Sequence, residues 1–114
     1  MSSLQFVALG VGDAFSAKYY SSCLALHHDQ QFLLIDCPHP IRKMLREANQ
    51  ISPLNINEAN ILGVALTHLH ADHCSGLEGW AYFSFFVLRQ KAKLLCHPHI
   101  KKRLWDGCLA AGME

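Results

Sequence analysis

Three histidines and an aspartate fall within six residues in the run Thr67-His68-Leu69-His70-Ala71-Asp72-His73. Imidazole nitrogen and carboxylate oxygen are the donors that suit zinc, manganese or iron. In extended backbone, residues two apart point to the same side, so His68 and His70 can grip one ion together. The chain then turns into a helix, and Asp72 and His73 in its first turn face a neighbouring point. This layout serves two ions a few ångströms apart better than one. A lone histidine after a buried strand is ordinarily a hydrogen-bonded polar residue and nothing more. Three of them with an aspartate at this spacing outweigh that ordinary reading.

Such a run needs a rigid support, and the flanking sequence supplies one. Ile61 to Leu66 is an unbroken apolar run that reads as a buried strand leading directly into the motif. Gln5 to Leu9 reads as a first buried strand, followed by the loop Gly10-Val11-Gly12-Asp13. Cys23 to Leu26 and Phe32 to Ile35 are two short apolar runs. The polar turn His28-Asp29-Gln30 between them predicts a hairpin. Pro40 suits the first turn of a helix. Ile41, Met44, Leu45 and Ala48 then form one apolar helical stripe. Gly76 to Gln90 reads as a helix that is apolar on most sides and therefore well buried. The aromatic cluster Trp80, Tyr82, Phe83, Phe85 and Phe86 within it reads as helix core. Lys93 to Cys96 reads as a fifth strand, and Pro98 opens a last helix through Leu104 or Leu109. Strands alternating with helices after an initial hairpin predict an α/β arrangement.

With the run His68-Leu69-His70-Ala71-Asp72-His73 placed after a buried strand, the chain resembles the metallo-β-lactamase superfamily. The resemblance extends over nearly the whole chain. Phe6 to Asp13 looks like the family's first strand and its glycine-containing loop, and Phe32 to Cys37 like the strand that ends in an aspartate beside the metals. Gly76-Leu77 resembles the ribonuclease Z and phosphodiesterase-like branch. The resemblance implies the N-terminal half of an αββα sandwich, a mixed sheet with flanking helices. It implies His68 and His70 as ligands of a first metal, and Asp72 and His73 as ligands of a second. Asp72 would also act in catalysis, orienting or deprotonating the attacking water. Asp36 would stand behind the ligands and hold a histidine in position. The plainer and compatible reading of Asp36 is a cap for the helix near Pro40. The implied cofactor is a divalent metal, two zinc ions in the first instance, with manganese or iron as alternatives. The implied chemistry is attack by metal-activated hydroxide on a phosphodiester or similar ester, in a small-molecule or nucleic-acid substrate.

The family pattern then breaks. Its further ligands, a histidine, a bridging aspartate and a last histidine, come well downstream, and only 41 residues follow His73. His97 and His99 fall at a strand-to-helix turn, where surface or capping roles are ordinary. His27, His28 and His39 are read the same way, and Asp13 reads as a loop carboxylate in solvent. Residues 1–114 are therefore expected to form a single partial domain with an incomplete ligand set. It would leave the inner face of its sheet for a C-terminal half or a homodimer partner to cover. The end at Gly112-Met113-Glu114 gives the same impression of a chain cut short. The alternative to an enzyme half is a catalytically incomplete remnant, or a split subunit, that acts by association.

Composition narrows the remaining classes. A net charge of +1 supplies no global field for nucleic acid or an anionic membrane. Lys101-Lys102-Arg103 reads as a solvated helix face. The five cysteines include no C-x-x-C pair, which predicts reduced thiols in a cytoplasmic protein, with Cys74 a small packing residue. The start Met1-Ser2-Ser3-Leu4 has no charged n-region, and the apolar run Trp80 to Leu88 is far short of the roughly 20 residues of a membrane span. A soluble protein is expected. Gly10-Val11-Gly12 lacks the third glycine of a dinucleotide fingerprint, because position 15 is Phe15.

Overall fold

The computed structural model describes residues 3–113. The start at Met1 and Ser2 and the last residue, Glu114, lie outside the described residues. Five strands form one mixed sheet in chain order: β1 (Gln5–Gly10), β2 (Cys23–His28), β3 (Gln31–Ile35), β4 (Ile61–Ala65) and β5 (Leu94–Leu95). β1, β2 and β3 pair antiparallel, and β3, β4 and β5 pair parallel. The β2–β3 hairpin closes through Asp29 and Gln30, both with positive φ, at 50° and 64°. That backbone matches the right-handed twist of the two strands.

The apolar stripe read from the sequence forms α1 (Ile41–Ile51), and all four of its stripe residues are buried. They pack on one face of the sheet. In register across the strands that face carries Val7, Ala25, Leu34, Val64 and Leu94. Ala25, Leu34 and Val64 join Met44, Leu45, Leu77, Trp80 and Leu104 in a single core. The helices beyond the motif are α2 (Ala71–Cys74), α3 (Leu77–Phe86) and α4 (Pro98–Leu104). A π-helical turn (Trp105–Leu109) leads on into α5 (Ala110–Met113). None is long and apolar enough to cross a membrane among the described residues.

One expectation needs correction. The segment from Gly76 to Gln90 is not one buried helix, because α3 ends at Phe86. Leu77, Trp80 and Ser84 are buried, but Phe85, Phe86 and Val87 are more than half exposed. A run that is apolar on every side has no sequence signal for which side faces the core. The last helix expected from Pro98 ends as α4 at Leu104, and the π turn and α5 carry the helical segment on to Met113.

The other face of the sheet is apolar too. A row of Ala8, Leu24, Ile35, Ala65 and Leu95 crosses all five strands, and Phe6, Leu26 and Leu33 form a second row. Phe6 and Leu95 are each about two-thirds exposed, at 67% and 66%.

Candidate metal centre

Strand direction places the motif. β3 and β4 run parallel, so both deliver their following residues to the same edge of the sheet. Asp36 follows β3, and the motif follows β4. Outside the carboxyl ends of parallel strands is where open α/β sheets hold ligands.

Asp36 organises this edge. It is 4% exposed and has φ of 67°, a strained value for a residue with a side chain. Its carboxylate accepts three hydrogen bonds. The Thr67 N–H donates to Oδ1 at 2.8 Å, the Thr67 hydroxyl to Oδ2 at 2.8 Å, and His73 Nδ1 to Oδ2 at 2.7 Å. The capping role weighed for Asp36 is not found, since α1 begins at Ile41 with Pro40 as its N-cap residue and no side-chain cap. Thr67, which the sequence reading passed over, is as central as the histidines. Its position directly before His68, at the strand end, was the available signal.

These bonds fix the imidazole tautomers. His73 Nδ1 carries the proton it gives to Asp36, which turns Nε2 toward Asp72, 3.2 Å from its Oδ2. Thr67 spends its one hydroxyl proton on Asp36, so it accepts from His68 Nδ1 at 2.9 Å. The lone pair of His68 then lies on Nε2. The three rings cluster, with His68 and His73 centroids 4.1 Å apart and His68 and His70 centroids 4.7 Å apart.

The donor set fits a divalent cation in chemistry. Two lone-pair atoms 3.2 Å apart, on His73 and Asp72, need a proton or a metal ion between them. It does not amount to a closed site. Among the described residues, no group of three or more His, Cys, Asp or Glu side chains is arranged to hold one ion.

Backbone bonds hold the motif against the end of β3. Cys37 N–H donates to the His73 carbonyl and Gly76 N–H to the Cys37 carbonyl, both at 2.8 Å. Two buried cysteines, Cys23 and Cys37, lie next to this edge, and the Cys23 thiol donates to the Asp36 carbonyl at 3.4 Å. Burial, and then the charge of Asp36, push the Cys23 thiol up to about 12. Burial also raises Cys37, which is completely enclosed.

The other titratable residues stay apart from this edge or act locally. His97 accepts from the His99 N–H and caps α4. Asp13 accepts from the Phe15 N–H in an exposed turn. Lys101, Lys102 and Arg103 are exposed.

Comparison with known proteins places this architecture. A family model described as Anti-Pycsar protein Apyc1 matches residues 4–114. The chain is 38% identical over 112 residues to an anti-Pycsar protein of Bacillus phage BSP38, covering 96% of the chain and 41% of that relative. It thus spans about two-fifths of the length of the curated relatives it matches. Among solved structures, the short form of human tRNase Z superposes with a TM-score of 0.68 at 25% identity, covering 96% of this chain and 41% of that one. The metallo-β-lactamase fold protein YhfI from Bacillus subtilis gives a TM-score of 0.69 at 17% identity, covering 87% and 39%. The fold is therefore that of the metallo-β-lactamase proteins, as a mixed sheet with flanking helices.

Proposed function

The chain belongs to the Anti-Pycsar protein Apyc1 family, and on that premise we propose that it provides half of a metal-dependent hydrolase site for a phosphodiester or similar ester. One observation carries this reading: Asp36 directs the tautomers of His73 and, through Thr67, of His68, leaving Nε2 of each ring as a lone-pair donor, that of His73 3.2 Å from Asp72. Orientation by a carboxylate behind the ring is how metal-ligating histidines are held. The likeness to human tRNase Z supports the phosphodiester class.

In this reading His68 and His70 hold one ion, and Asp72 and His73 a second. Zinc is the first choice for such donors, with manganese and iron also compatible. A bound pair of ions supplies hydroxide at neutral pH and polarises the ester oxygen. Asp72 orients the attacking water and takes its proton. Asp36 and Thr67 hold the rings still, which keeps the donors directed without help from substrate.

A second reading is a chain that acts by association, completing its ligands from a C-terminal half or a second copy. The absence of a three-donor group among the described residues and the apolar second face of the sheet favour it.

Zinc titration by calorimetry, with hydrolysis of bis(p-nitrophenyl) phosphate measured alongside, tests both readings. Zinc should bind, and Asp36→Asn should weaken it roughly 10- to 100-fold. Binding that is unchanged in a His68→Ala/His73→Ala variant would sink the metal site. Zinc binding without hydrolysis would favour the associating chain.

A further inference from the structure

Charge is unevenly spread along this chain. Residues 79–105 carry six lysines and arginines and no acid, and the remaining residues hold nine acids against four lysines and arginines. Three of the six, Arg89, Lys91 and Lys93, follow directly on an apolar tip at the end of α3, where Phe85, Phe86 and Val87 are 55%, 64% and 59% exposed. We propose that this tip is a docking site for an anionic phospholipid surface, with Phe85, Phe86 and Val87 entering the interface and Arg89, Lys91 and Lys93 meeting the phosphate headgroups.

The tip stands apart from the metal centre and has no part in the hydrolase reading. Ser84 and Gln90 share a cavity wall with Ile61, the first residue of β4, so the tip lies at the edge of the sheet opposite the motif. Its three cations are exposed, and none is in an ion pair among the described residues. Glu58 is taken by Arg42 at 3.0 Å, and the Arg42 guanidinium lies over the Phe83 ring of α3, 4.0 Å from its centroid. Arg89 has φ of 60° just past the helix end, where the Gln90 N–H donates to the Ser84 carbonyl at 3.0 Å. Glycine fills such a left-handed position without steric cost, so an arginine there holds its charge against the preference of the backbone.

Charge and apolar area meet in one place. Phe85, Phe86, Arg89, Gln90 and Lys91 line a cavity of about 550 Å³. Apolar side chains at such a site enter the boundary between headgroups and acyl chains, and lysine and arginine beside them are drawn to anionic lipid. Neither signal alone anchors a protein firmly, and the two together do. The rings argue against a nucleic-acid strand as the partner. Phe85 and Phe86 meet edge to face at 90° with centroids 5.1 Å apart, and Phe86 is stacked with Tyr82. They offer no open row of faces to successive bases, and Val87 adds apolar area that stacking does not use.

The test is co-sedimentation of the 114-residue chain with phosphatidylcholine vesicles, with and without roughly one-third phosphatidylserine. The chain should partition onto the anionic vesicles and not onto the neutral ones, and salt at about 0.5 M should release it. Phe86→Glu, a change at an exposed position, should abolish binding. Lys91→Ala should weaken it roughly fivefold, the contribution of one cation at such a surface. Arg89→Gly separates docking from folding: it should unfold at the same temperature or higher, yet bind vesicles roughly fivefold more weakly. Equal partitioning onto neutral vesicles, or no binding to either kind, would overturn the proposal. So would binding that Phe86→Glu leaves intact, which would place the contact on the open sheet face, or tighter binding to a single-stranded oligonucleotide than to anionic vesicles.

Discussion

Asp36 concentrates more of the site's structure than any ligand does. Its buried carboxylate takes one backbone and two side-chain hydrogen bonds, and it holds a left-handed backbone. Removing the carboxylate strands the Thr67 N–H and the His73 Nδ1 proton at part-buried positions. A buried donor without a partner costs about 1–3 kcal/mol, and bonds to a charged acceptor lie at the upper end of the usual range. We therefore expect Asp36→Ala to lower unfolding free energy by about 3 kcal/mol, read by urea denaturation. Asp36→Asn should cost less, because the amide oxygen can replace one acceptor. Equal losses in the two variants would mean that backbone strain, not the hydrogen bonds, dominates. The sequence alone left Asp36 between a cap and a support for a histidine. What decides is whether α1 starts close enough to use the carboxylate, and that depends on how Cys37 and Pro38 lead away from β3.

At the scale of elements, what was legible was periodicity. Ile41, Met44, Leu45 and Ala48 announced both α1 and its buried side, and the run Ile61 to Leu66 announced β4 and its delivery of the motif. Hairpin chemistry was legible at Asp29 and Gln30. Contacts between elements were not, because no local pattern encodes them. Phe85 and Phe86 look like core and are exposed, while Thr67 looks like a strand end and links His68 to Asp36. Gly76 is the sharpest case. It precedes α3, where alanine would ordinarily be harmless. In the fold, a Cβ there would lie 2.3 Å from the Pro38 carbonyl oxygen and 2.7 Å from its carbon. Both atoms are backbone, so one of the two segments must move. Gly76→Ala should therefore destabilise by about 1–3 kcal/mol, the usual cost of overpacking. Weaker zinc binding should follow, since the 2.8 Å bond between Gly76 N–H and the Cys37 carbonyl helps keep the motif against β3. A neutral effect on thermal unfolding would show that the junction yields without strain.

The whole molecule presents two unlike sheet faces. One is covered by α1 and α3 around Leu34 and Val64. The other carries Phe6, Leu24 and Leu95 into solvent, with Leu26, Leu33 and Ile35 half-buried between them. Soluble monomers rarely leave a contiguous apolar area of this kind, and larger ones mark association surfaces. The curated relatives are more than twice as long as this chain, so in them further residues are available to cover such a face. For residues 1–114 taken alone, a second copy is the cover that can be tested. We expect concentration-dependent self-association in sedimentation velocity. A charge set into this face should suppress it. Leu95→Glu is suited to this, because Leu95 is 66% exposed on an edge strand and makes little contact with the core. Its effect on unfolding free energy should stay within about 0.5 kcal/mol, as for surface substitutions generally. If Leu95→Glu associates as strongly as the parent chain, the contact lies elsewhere, and the exposed end of α3 at Phe85 and Phe86 becomes the surface to mutate next. If association disappears while stability holds, the second face is the route by which this chain gains a partner. The proposed metal site at the carboxyl edge of the same sheet would then lie beside that partner, where missing donors could be supplied.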